Sequence, residues 1–414
     1  MTAPRNTSAN QRPSPTHVGI VERAKVATAL IFVFAGGAFA TWASRIPDVR
    51  AALDLTPGQL GILLLFGSSG SLVGLPLAGW VASRIGTRNT VLVGAALALV
   101  GLVGAGVGAG ALHSFWVTAV FLFMALAGIG QWDVAMNLEG AAVEHQLGRN
   151  VMPRFHAAFS GGTVGSALVG AGAVALGVPF VAHFAVLAVL LGAGVVVASR
   201  AFLPAALDAA DDSPHDEGEK VSAVGAWREP RTLLIGLVML VAAFTEGTAN
   251  DWIAVAFVDG HELPAWAGVL AFATFLSFMT VGRLVGASML DRWGRVPVLR
   301  AMLVAAGLGS LCVVFGTPVL AYVGAAIWGF GVSLGFPVGI SAASDEPRHA
   351  AARVSVVSTI AYGAFLIGPP ALGFLGDHWG VLRSLIVVSG MLVVALVALP
   401  AMRRPGEIRG ASAG

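Results

Sequence analysis

The sequence predicts an all-α membrane protein: twelve transmembrane helices arranged as two pseudo-symmetric six-helix bundles. Three observations carry this. Of 414 residues, 57% are apolar and only 11% are charged, with 54 glycines besides. Soluble chains average about 25% charged residues, so water cannot solvate such a surface and a soluble enzyme is excluded. Apolar runs of ~20 residues recur along the chain, the length that crosses a ~30 Å hydrocarbon core at ~1.5 Å per residue. Finally, short motifs in the first half return in the second in the same order.

The spans are expected at about 26–44, 58–82, 90–111, 115–141, 154–177, 179–200, 232–255, 264–289, 297–315, 318–342, 352–375 and 382–401. Backbone polar groups find no partner in lipid, so apolar runs of this length form helices. Residues 1–25 carry Pro4, Pro13 and Pro15 among Ser and Thr, with no apolar core. They read as a disordered cytoplasmic tail, not a cleavable signal. A first bundle then covers 26–203. Residues 204–231 form the longest polar connection, with Asp208, Asp211, Asp212, Asp216, Glu217 and Glu219, and read as a cytoplasmic linker. A second bundle covers 232–402, and 403–414 form a cytoplasmic tail.

Lys and Arg set the expected orientation. With both termini inside, 20 of the 24 basic residues fall in cytoplasmic segments, and only Arg45, Arg50 and Arg383 fall outside. Arg283 lies within a span. Such an asymmetry places both termini in the cytoplasm of a multi-pass cell-membrane protein.

The repeat is visible in the motifs. Span 2 ends Gly79-Trp-Val-Ala-Ser83-Arg84-Ile-Gly86-Thr-Arg88, and span 8 ends Ala287-Ser-Met-Leu-Asp291-Arg292-Trp-Gly294-Arg295. Gly128-Ile-Gly130 of span 4 matches Gly329-Phe-Gly331 of span 10, and Trp42 of span 1 matches Trp252 of span 7. Parallel halves of this kind carry substrate between them, near the bilayer midplane.

The two turns resemble the G-x-x-x-D-R-x-G-R signature of the major facilitator superfamily, with Ser83 in place of the acid in the first copy and Ala287 in place of the leading glycine in the second. The resemblance covers essentially the whole chain and implies the major facilitator fold. It implies inner-face roles for Arg84, Arg88, Asp291, Arg292 and Arg295. A finer similarity is to the MosC/YbjJ-like branch. It rests on Asp133-Val-Ala-Met-Asn137, Gly148-Arg149, Met152, His156, Phe159-Ser160-Gly161 and Glu246-Gly-Thr-Ala-Asn250-Asp251-Trp252. That branch implies a transporter, with sugar-like compounds a recurring substrate class, and a central cavity lined by spans 1, 4, 7 and 10.

Ionisable groups at lipid depth are costly and usually face a cavity. In span 4, Gly130, Asp133, Asn137 and Glu144 share one helix face. The aligned stretch of span 10 has no acid. Asp133 and Asn137 are therefore candidates for binding solute or proton. In span 7, Glu246 and Asn250 are one turn apart, with Glu246 ~22 Å from Arg231. Asp251 is expected at the hydrated outer interface. Arg283, ~12 Å from the inner end of span 8, needs a carboxylate. Asp133, Glu139 and an anionic substrate are the alternatives. Trp42 and Trp252 read either as an aromatic platform for a sugar ring or as interfacial anchors. Glu139 and Glu144 read as gating ion pairs with Arg84, Arg88 or Arg149. Pro369 and Pro370 predict a kink in span 11.

The single cysteine, Cys312, and nine scattered histidines without an H-x-x-x-H pair give no metal centre. No G-x-x-x-x-G-K-[ST] loop is present, so no nucleotide drives the cycle. The expectation is a secondary transporter of a small polar solute, of the sugar-like class that the resemblance implies, acting as a monomer in lipid. No cofactor and no nucleic acid take part, and a proton gradient supplies the energy by symport. The alternatives are an exporter of a toxic or signalling metabolite and, from another class, a polytopic membrane enzyme or sensor. The latter needs a catalytic cluster or an added soluble domain, and no loop exceeds roughly 30 residues.

Overall fold

A computed structural model describes residues 15–204 and 223–404. The first fourteen residues, most of the expected linker with its acidic run, and the last ten lie outside the described residues. Among the described residues, twelve helices are long and apolar enough to cross a membrane. They are α1 (Pro15–Ala43), α2 (Pro57–Ile85), α3 (Thr87–Gly110), α4 (Phe115–Leu147), α5 (Met152–Ala175) and α6 (Phe180–Ala198). The second set is α7 (Pro230–Gly260), α8 (Ala265–Trp293), α9 (Arg295–Phe315), α10 (Pro318–Val332 and Gly335–Ala343), α11 (Ala350–Trp379) and α12 (Val381–Ser384 and Ile386–Ala398). Apolar side chains such as Trp116, Leu176, Val189 and Val319 point outward, as a lipid solvent demands.

Three boundaries differ from expectation. Residues 15–25, expected in the disordered tail, are the first turns of α1. Span 10 is broken at Ser333–Leu334. Pro337 explains the break, since it has no N–H for the Ser333 carbonyl and its ring would collide with that group. A short helix, Ala223–Ala226, falls inside the expected linker. Helix α11 contains Pro369 and Pro370 yet runs without interruption to Trp379.

The packing repeats. In the first set α3 packs on α4, α2 on α4, α1 on α5, and α6 on α3 and α1. In the second, α9 packs on α10, α8 on α10, α7 on α11, and α12 on α9 and α7. The halves meet through α2 against α11 and α5 against α8, again a symmetric pair. The signature turns use the same device twice. Gly86 (φ 80°) and Gly294 (φ 79°) each end one helix and begin the next. A side chain is disfavoured at that φ, so glycine belongs there.

With an even number of crossings, both described ends share one face, here the terminus face. Each half ties its first helix down there with an ion pair. Glu22 accepts from Arg149 at 3.0 Å, and Glu229 accepts from Arg353 at 2.6 Å. Glu229 precedes Pro230 and also accepts from Thr232 Oγ1 at 2.8 Å. Burial pushes the Glu229 carboxyl up, but the Arg353 and Thr232 hydrogen bonds outweigh it and hold the group below its ordinary value. A depressed folded-state pKa stabilises above the unfolded-state pKa, and that contribution is lost as pH falls through the folded value. Melting curves in detergent are therefore expected to separate Glu229→Gln from the parent at neutral pH and to converge in acid. A gap independent of pH would refute the assignment.

Candidate functional site, a charged seam between the halves

Asp133 and Asn137 lie half-buried on α4. Asn137 Nδ2 donates to the Asp133 backbone carbonyl at 2.8 Å and approaches Asp133 Oδ1 at 3.5 Å. That geometry leaves most of the carboxylate's acceptor capacity open to a solute. Tyr362 of α11, in the other half, stands within electrostatic reach of Asp133. Its phenol is a polar group that sequence reasoning missed.

Across the seam, Arg283 of α8 finds its carboxylate on α7. Its Nη2 donates to Glu246 Oε1 at 3.1 Å and Oε2 at 3.3 Å. The partner is thus Glu246, not Asp133 or Glu139. The two side chains are 33% and 25% exposed, so the pair is not sealed inside the packing. Arg283 Nε is buried without a partner. His156 of α5, in the first half, lies within electrostatic reach of Arg283. Asn250, one turn from Glu246, keeps its Oδ1 buried and unpartnered.

Several expected site residues lie elsewhere. Trp42 is buried, its ring 6.4 Å from Phe184 of α6, and so packs inside the first half. Trp252 is buried too. Neither offers an open platform to a sugar ring, because α1 and α7 turn these indoles into the helix contacts. Asp251 was expected at a hydrated interface. It instead lines a pocket between α7 and α11 with Trp252, Thr248 and Phe365.

The expected gating ion pairs of Glu139 and Glu144 are not what the fold builds. Glu139 is buried and accepts the backbone N–H of Leu203 at 2.8 Å. Glu144 accepts the N–H groups of Val151 and Met152 at 2.7 and 2.8 Å. It thereby caps α5, where a carboxylate is favoured by the orphan donors and the helix dipole. Arg84 stacks over Trp80 at 5.0 Å and Arg292 over Trp293 at 5.2 Å. Arg88 and Asp291 are exposed on the terminus face. Only Arg295 enters a tight cluster. Its Nη1 reaches both oxygens of Asp345 at 2.8 and 3.0 Å, and Arg231 joins the same carboxylate at 2.7 Å. Asp345 went unrecognised, although it occupies the repeat position of Glu144.

The far face holds two polar links between the halves. Arg50, on the short helix Ile46–Ala52 after α1, is ion-paired with Asp259 at the end of α7. Asp377 Oδ1 of α11 accepts the Gly58 N–H of α2 at 3.0 Å.

Comparison with known proteins agrees with this architecture. The Major Facilitator Superfamily model matches residues 27–353 and 265–413. An uncharacterized MFS-type transporter of Yersinia pestis is 30% identical over 394 residues, 92% of this chain and 95% of that one. Membrane protein MosC of Rhizobium meliloti is 27% identical over 375 residues, 90% and 88% of the two chains. Among solved structures, a mutant of the nucleoside transporter NupG is similar with a TM-score of 0.75 at 15% identity, covering 92% of this chain and 99% of that one. The xylose transporter XylE from E. coli, in a partially occluded inward-open conformation, gives 0.68 at 12% identity, with 92% and 97% covered. With the signature turns, the twelve helices and a family model spanning nearly the whole chain, this protein belongs to the Major Facilitator Superfamily, a family of membrane transporters.

Proposed function

We propose that the protein is a proton-coupled symporter of a small, hydroxyl-rich solute, working by alternating access in the cell membrane with both termini in the cytoplasm. The observation that carries this is the seam itself. One half presents a carboxylate–amide pair, Asp133 and Asn137, and the other a carboxylate–guanidinium pair, Glu246 and Arg283. Hydroxyls are both donors and acceptors, so a polyol can satisfy both walls at once. The nucleoside and xylose transporters that share the fold carry solutes of this hydroxyl-bearing kind. With the terminus face inside, the far-face links belong to a state closed to the exterior, while on the cytoplasmic side Arg88 and Asp291 are exposed and Arg84 and Arg292 lie over Trp80 and Trp293.

The test is proton flux in proteoliposomes challenged with sugars, polyols, nucleosides, organic acids and amines. One class of hydroxylated solutes is expected to alkalinise the side of addition, and Asp133→Asn is expected to abolish that response. Solute exchange without proton movement in the parent would refute symport. An unchanged response in Asp133→Asn would return Asp133 to a structural role.

A further inference from the structure

We infer that Asp251 is the proton-binding carboxylate of the cycle, separate from the groups that hold solute. The inference rests on the symport reading and names its coupling group. Of the other acids within the spans, Asp291 is exposed at the terminus face, and the rest are approached or held by polar groups. Glu246 is paired with Arg283, and Asp133 is approached by Asn137 at 3.5 Å, its open acceptors being the ones assigned to solute. Glu139 and Glu144 accept backbone N–H groups, and Asp259 is paired with Arg50. Among the described residues, Asp251 makes no hydrogen bond or ion pair. It lines a pocket whose other walls are mostly apolar, with Phe244, Phe365 and Pro369, and with Thr248 as the polar exception. Trp252 lines the same pocket, 1% exposed, with its indole N–H unpartnered. A lone carboxylate in such a wall cannot stay both charged and dry. It takes a proton from the medium, –COO⁻ becoming –COOH, or draws water in.

The titratable groups on the neighbouring elements do not offer a substitute. Glu246 and Asp259 on α7 are each salt-bridged, and Arg283 on α8 is held by Glu246. Tyr362 and Asp377 on α11 do not line the pocket, and Asp377 is bonded to Gly58. Asp48 and Arg50 on the short helix after α1 are bonded to Arg45 and Asp259.

Position links the proton to the conformational change. Pro369 forms part of the pocket wall, and its carbonyl lies against Gly61 of α2 in the other half. Hydrating a charged Asp251 widens the pocket at the segment of α11 that bears the α2 contact. Protonation lets it close. The charge state of Asp251 therefore biases how α2 and α11 meet.

The experiment uses purified full-length protein and dicyclohexylcarbodiimide, which adds to protonated carboxyls in apolar surroundings, read by peptide mass. The expected result is one adduct, on Asp251, falling about tenfold per pH unit once the group is mostly ionised. Asp251→Asn loses it and Asp251→Glu keeps it, which guards against a misfolded variant. Modification of Asp133 or Glu246 with Asp251 untouched overturns the inference, as does Asp251 labelling that ignores pH. In vesicles, Asp251→Asn is expected to lose proton-driven accumulation while retaining solute exchange. A parent that labels at Asp251 but moves no protons with any solute refutes the symport reading and leaves the protonation site standing. An Asp251→Asn protein that still couples overturns the inference and leaves symport intact.

Discussion

Glu246→Gln and Arg283→Gln are each expected to lower transport by about 30–100-fold. Either change leaves one charge at membrane depth without its counterion. Truncating one member of a buried charge pair costs roughly 2–5 kcal/mol, and partial exposure here places the cost near the lower end. About 1.4 kcal/mol corresponds to each tenfold. The single variants cannot separate a solute-binding pair from a structural one, because both predict loss. The double variant does. Removing both charges leaves nothing uncompensated, so melting in detergent is expected to return close to the parent value. Transport is expected to stay lost, because the second half no longer presents a carboxylate and a guanidinium to solute. Counterflow of the solute found in the proton-flux panel supplies the readout. A double variant that regains both stability and transport would make the pair a structural strut between α7 and α8.

The same pair shows where sequence reading stops. Lipid forces backbone hydrogen bonds inward, so span number and near-boundaries were legible from apolar runs alone. That Asp133, Asn137, Glu246 and Arg283 sit within the spans was legible too, and charge at that depth is costly. What opposed Arg283 was not. Spacing along one helix assigns a face, but the partner depends on which helix lies across, and Asp133, Glu139 and Glu246 were all chemically suitable. Glu144 illustrates a different failure. Its spacing from Asp133 was right, but the chain turned at Gly148, with φ 61°, and brought the N–H groups of Val151 and Met152 back onto it. Trp42 failed for a third reason: an indole suits an interface, a cavity or a core equally well, and packing against Phe184 decided. Asp345 carried a usable signal, since the repeat that pairs the Gly130 and Gly331 motifs also aligns it with Glu144.

Locking the far face apart is expected to have the other large effect. The Arg50–Asp259 pair is partly exposed, so Asp259→Asn alone is expected to shift the balance of states by about 0.5–1 kcal/mol, only a few-fold. The Asp377 hydrogen bond to the Gly58 N–H is charge-assisted but exposed, so it too contributes only about 1 kcal/mol. Backbone packing beneath these links matters more. A Cβ at Gly61 would stand 2.5 Å from the Pro369 carbonyl oxygen, and one at Gly373 would stand 2.6 Å from the Pro57 carbonyl oxygen. Neither backbone can swing aside as a side chain would, so Gly61→Val holds α2 and α11 apart and removes the far-closed state. The single native cysteine makes the measurement direct. In a Cys312→Ser background, Tyr362→Cys reports access to the seam through an impermeant maleimide. From the far face, labelling is expected to be slow in the parent, a few-fold faster with Asp259→Asn, and at least ~100-fold faster with Gly61→Val. From the terminus face the order is expected to reverse. Opening at one end at the expense of the other is what two rocking halves produce. Faster labelling from both faces at once would instead mean that the halves had come apart, and unchanged labelling in a folded Gly61→Val protein would show that the α2–α11 contact does not hold the far face shut.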